Sequence, residues 1–62
     1  MNPAELIPGN KYTYRPNGSP AIELEYRHET INMYMFYVVG ETRFMMLHFM
    51  QVKNNLTCNP TN

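Results

Sequence analysis

The stretch Ile22-Glu23-Leu24-Glu25-Tyr26-Arg27-His28-Glu29 decides the fold. Ile22, Leu24 and Tyr26 fall on one side of an extended chain; Glu23, Glu25, Arg27 and Glu29 fall on the other. This period of two belongs to a strand with one buried and one solvated face. Wound as a helix, the same apolar residues would be spread around too much of the circumference to make one stripe.

Downstream, Thr30-Ile31-Asn32 makes a turn, and two apolar runs, Met33 to Val39 and Thr42 to Phe49, flank Gly40-Glu41. Glycine at the first of two central positions predicts a two-residue type II′ hairpin turn. Register then follows by arithmetic, because paired residue numbers sum to 81 when Val39 faces Thr42. Tyr37 faces Phe44, Met35 faces Met46, and Met33 faces His48. The opposite face carries Val38 with Arg43, Phe36 with Met45, and Tyr34 with Leu47. Both faces are apolar over most of their length, which is uncommon for an antiparallel pair.

Upstream, Pro16-Asn17-Gly18-Ser19-Pro20 forms a loop that no regular element can cross. Before it, Lys11-Tyr12-Thr13-Tyr14-Arg15 alternates polar and aromatic residues as a strand does. Pro8-Gly9-Asn10 supplies turn chemistry, and residues 1–8 suit a brief helical turn or an irregular lead-in. In the tail, Val52 and Leu56 are four apart with polar residues between them, which predicts one helical turn, 3₁₀ in character. Leu56-Thr57-Cys58 adds a short last strand, and Asn59 to Asn62 is expected to fray.

The expected fold is all-β, a small five-stranded barrel in one domain spanning 1–62, with an ordered core over about 6–58. The layout resembles an SH3-like barrel. The residues that carry the resemblance are Pro8-Gly9-Asn10-Lys11-Tyr12, the alternating Ile22 to Glu29, the Gly40-Glu41 hairpin, and Val52 to Leu56 as the helical turn before the last strand. The resemblance is topological, and such barrels serve many functions. The chain lacks the acidic loop and Trp of peptide-binding SH3 domains and the complete aromatic cage of Tudor-like ones, so no functional residue is carried over.

Composition narrows the function. The chain has 62 residues, five basic and five acidic, with no formal net charge. That balance argues against nucleic-acid or membrane-surface binding by charge alone. The one cysteine cannot form an internal disulfide. No apolar run reaches the roughly 20 residues of a membrane helix. With no signal-peptide pattern, a cytoplasmic, soluble protein is expected.

The chemistry-bearing residues are few. His28 and His48 lie twenty apart and Cys58 stands alone, so metal-ligand spacing is missing. Cys58 has no adjacent base and orienting group, and Ser19 has no nucleophile elbow. Glu23 and Glu25 share a strand face, but Arg27 continues the row, as on an ordinary solvated face. No enzyme, cofactor or metal is expected.

The two-faced hairpin points instead to a non-enzymatic interaction module that binds a protein partner or itself as a homodimer. Arg43 near the tip suggests that its own face is the outer one, which makes Tyr34, Phe36, Met45 and Leu47 the expected contact residues. The alternative is a single-stranded nucleic-acid binder, with Tyr12, Tyr14, Tyr34 and Phe36 stacking on bases and Arg15, Arg27 and Arg43, with Lys11 and Lys53, meeting phosphates.

Overall fold

A computed structural model of the chain describes residues 1–58. A 3₁₀ turn at Pro3–Glu5 leads into β1 (Lys11–Tyr14), β2 (Ile22–Glu29), β3 (Tyr34–Val38) and β4 (Phe44–Leu47). A helix, α1 (Phe49–Asn55), and β5 (Leu56–Cys58) follow. The strands form one antiparallel sheet in the order β4-β3-β2-β1-β5. Thus β1 to β4 run as a meander, and β5 returns to lie beside β1. The sheet is open: among the described residues no ladder joins β4 to β5, so the expected closed barrel is reduced to a sheet with two edges. The fraying expected of Asn59 to Asn62 lies outside the described residues.

Alternation sets the core. Tyr12 and Tyr14, Leu24 and Tyr26, Phe36 and Val38, Leu47 and Leu56 are buried on one face of the sheet. Val52 of α1 closes over them, with Met1, Leu6, Ile22, Tyr34 and Met45 packed at the margin. Phe36 sits at the centre. Its ring lies 5.3 Å from that of Tyr26 and meets that of Tyr12 edge-on at 6.5 Å. Such aromatic contacts contribute about 0.5–1.5 kcal/mol beyond the area they bury. Two of the buried phenols have hydrogen-bond partners: Tyr12 Oη accepts from the Ile7 amide at 3.0 Å, and Tyr14 Oη from Gln51 Nε2 at 3.0 Å.

The helix is longer than the single turn expected from sequence. It runs seven residues because His48 opens it with a capping box. The His48 amide donates to Gln51 Oε1 at 2.9 Å, and the Gln51 amide donates to His48 Nδ1 at 3.4 Å. At the other end Asn55 ties the helix to β1. The Arg15 amide donates to Asn55 O at 2.9 Å, and Asn55 Nδ2 donates to Arg15 O at 2.8 Å. This fixes the corner from which β5 starts.

Candidate protein-interaction surface

The hairpin keeps the expected register with a different turn. Tyr34 faces Leu47, Met35 faces Met46, Phe36 faces Met45, and Tyr37 faces Phe44. The Glu41 amide donates to Val38 O at 3.1 Å, which closes a four-residue turn from Val38 to Glu41. Gly40 is therefore the third residue of that turn, with φ +85°, as in a type II turn. A two-residue type II′ loop would have Gly40 one position earlier. Residues Val39 to Arg43 lie outside the strands, and the sum rule survives because Val38 still pairs with Arg43, its amide donating to Arg43 O at 3.0 Å.

The face assignment is overturned. Phe36 and Leu47, expected at an outer contact surface, are 0% and 1% exposed. Tyr34 and Met45, expected with them, pack against the core margin. The reason lies in the pairing with β2: Phe36 faces Tyr26 and Val38 faces Leu24, so this face of β3 joins the apolar face of β2. Arg43 belongs to the same face by parity but stands beyond the end of β4. There it reaches solvent and meets Glu41, Nε to Oε1 at 2.7 Å. A charge at a hairpin tip does not report which face is buried.

The outward face therefore carries Met35 and Tyr37 on β3 and Phe44 and Met46 on β4. Tyr37 and Phe44 meet edge-on at 5.4 Å. Towards β2 the patch has a charged border. The Arg27 guanidinium lies over the Tyr37 ring at 5.8 Å and bonds Glu25 Oε2 at 2.7 Å. Away from β2 it runs to the open edge. Just past β4, Phe49 and Met50 of the first turn of α1 are half exposed.

A bulge reshapes the border. Leu24, Glu25 and Tyr26 pair with β3 at residue sums of 62, and His28 and Glu29 at 63, so Arg27 is the extra residue. Beyond it the faces exchange. His28, opposite Met35, joins the outward face, and Glu29, opposite Tyr34, turns to the inner margin. The simple alternation expected through Glu29 thus ends at Tyr26. Glu29 then contributes, after burial itself, to raising the Tyr26 phenol above its ordinary 10.0.

The residues of the nucleic-acid alternative are dispersed. Tyr12 and Tyr14 are buried with their hydroxyls engaged, which removes them as stacking platforms. Phe36 is buried too, and Tyr34 is partly so. Arg15, Arg27 and Arg43 are exposed, the last two in ion pairs. Among the described residues no group of three or more His, Cys, Asp or Glu side chains comes together as a metal site. Cys58, which as a lone free thiol suggests a small buried hydrophobe, is exposed on β5. No described helix is long and apolar enough to cross a membrane.

One cleft of about 440 Å³ lies between the 3₁₀ turn and α1, lined by Met1, Asn2, Pro3, Phe49 and Lys53. Its floor is structural: the Met1 ammonium donates to Val52 O at 3.3 Å and to Lys53 O at 2.8 Å. Lys53 Nζ lies over the Phe49 ring at 5.9 Å. This wall holds no acid–base pair. Comparison with known protein-family models, curated proteins and solved structures finds no match to the chain.

Proposed function

We propose that the chain is a small, non-enzymatic interaction module that binds a protein partner, or itself, through the outward face of the β3–β4 hairpin. One observation carries this reading. Of six large hydrophobic residues exposed among those described, Phe44 and Met46 stand on the outward face of edge strand β4, opposite the half-buried Tyr37 and Met35 of β3. Clustered exposed apolar residues beside a charged border match the anatomy of a contact surface. Met and aromatic side chains suit it, being adaptable and rich in contact area.

The SH3-like reading of the fold is part of the proposal. Its support is the strand order, with a four-strand meander and a helical connection that returns β5 to β1. A cytoplasmic setting accords with a single cysteine that can form no internal disulfide. No side-chain placement favours the nucleic-acid alternative.

The test is the double substitution Phe44→Glu with Met46→Glu. Both side chains face solvent, so the thermal melt at concentrations below the association range is expected to stay within a few degrees of the parent. Self-association in sedimentation, or retention of specific proteins from a lysate of the producing cell, is expected to be lost. A double variant that matches the parent in both assays overturns the proposal.

A further inference from the structure

We infer that a second copy of the chain binds at the edge of this surface, joined strand to strand along β4 so that the two sheets become one. The inference rests on the interaction-module reading and makes its partner specific. It starts from the direction of the main-chain groups. In an antiparallel ladder, residues alternate between those bonded to the neighbouring strand and those turned away from it. The Val38 amide donates to Arg43 O. Arg43, Met45 and Leu47 therefore turn their main-chain groups to β3, and Phe44 and Met46 turn theirs to the open edge.

That edge carries no blocking side chain. Proteins commonly blunt an edge strand by keeping it very short, or with lysine, proline, a bulge or an inward charge. Phe44-Met45-Met46-Leu47 is short, at four residues, but has none of the others. The edge is also self-complementary. When Met45 of one copy stands opposite Met45 of the other across a twofold axis, Phe44 of each copy lies opposite Met46 of the other. Both of these pairs then exchange N–H and C=O bonds reciprocally, as an isologous contact requires. Side chains follow. The outward row Tyr37–Phe44 of one copy continues into Met46–Met35 of the other, and the converse row lies beside it.

Charge agrees with this occupant, and area sets the strength of the contact. From residue 43 to residue 47 the only charge is Arg43, which falls opposite Leu47 of the other copy and is already paired with Glu41. No like charges meet. A stable interface takes about 800 Å² from each partner, which is near a fifth of the 4089 Å² surface. The four-residue ladder falls below this, so the pairing is a weak one, populated at high protein concentration.

Cross-linking and an edge-blocking proline test the geometry. A central pair of the kind not bonded through its main chain has Cα atoms about 4.5 Å apart, within the disulfide range of about 4.4–6.8 Å. Met45→Cys in a Cys58→Ser background is expected to form a disulfide-linked dimer under mild oxidation. Met46→Cys in the same background is expected to give little, because each Met46 lies opposite Phe44. Met46→Pro removes only an amide turned to the edge, which the chain's own sheet tolerates. It is expected to sediment as a folded monomer at concentrations where the parent is a dimer.

A parent that stays monomeric at all concentrations overturns the inference. So does a dimer that persists in Met46→Pro and fails to cross-link at position 45. In either case, loss of a heterologous contact in Phe44→Glu/Met46→Glu would leave the interaction surface standing with a different occupant, which separates the two failures.

Discussion

Tyr26 lies inside the core, with its ring against Phe36. Burial first, and then the charge of Glu29 and the neighbouring Tyr34 and Tyr12, raise its phenol above the ordinary 10.0. In the unfolded chain this phenol ionises near pH 10. Between that pH and the higher folded value, the folded chain keeps a proton that the unfolded chain has lost. Its contribution to stability is therefore whole below pH 10 and falls as pH rises through the folded value. Thermal melts across the alkaline range are expected to drop less steeply for Tyr26→Phe than for the parent. Parallel slopes would show that the proton is not held by the fold. A second contrast concerns two phenylalanines of one hairpin. Phe36→Glu puts a carboxylate where nothing can solvate it, and the chain holds only about 3–9 kcal/mol at the usual stability per residue. Circular dichroism is expected to show Phe36→Glu unfolded and Phe44→Glu native.

At the scale of elements, patterns that repeat were legible and single exceptions were not. Ile22 to Glu29 declared β2 with its bounds, and Leu56 to Cys58 declared β5. The hairpin register came from counting across Gly40, and it held although the turn is of another type, because both turns leave residue sums at 81. The bulge at Arg27 left no mark in the sequence, since an extra residue in a polar row looks like the row continuing. The contact surface was half legible. Two apolar faces could be read, but only the pairing of Phe36 with Tyr26 decides which is buried. The capping box was missed because histidine is an uncommon cap residue, although Gln51 three positions on was a usable signal. Gln51 also donates to Tyr14 Oη, so Gln51→Ala removes a cap and a tie to β1 together. A cost of about 1–2 kcal/mol is expected. For a domain of this size each kcal/mol lowers the melting temperature by about 4–8 °C, which a single pair of melts would resolve.

At the scale of the whole molecule, size and surface belong to one problem. A chain of 62 residues buries only about 60% of the surface its unfolded form exposes. One face of its sheet is filled by nine buried side chains, and the outward face spends Met35, Tyr37, Phe44 and Met46 where polar residues would serve a monomer as well. Pairing along β4 eases the shortage of burial: it bonds the open edge and packs the flanks of Phe44 and Met46 against those of the other copy, while the outward face of the joined sheet stays open. Mass action then gives a test that needs no substitution. Folding coupled to dimer formation makes the melting temperature rise with protein concentration, because association draws on the folded state alone. The parent is expected to melt several degrees higher when concentrated a hundredfold through its association range. Met46→Pro is expected to melt at one temperature throughout. A parent whose melt ignores concentration while its sedimentation reports a dimer would mean that the copies associate without stabilising each other. The strand-to-strand contact, with its new main-chain bonds, does not allow that result.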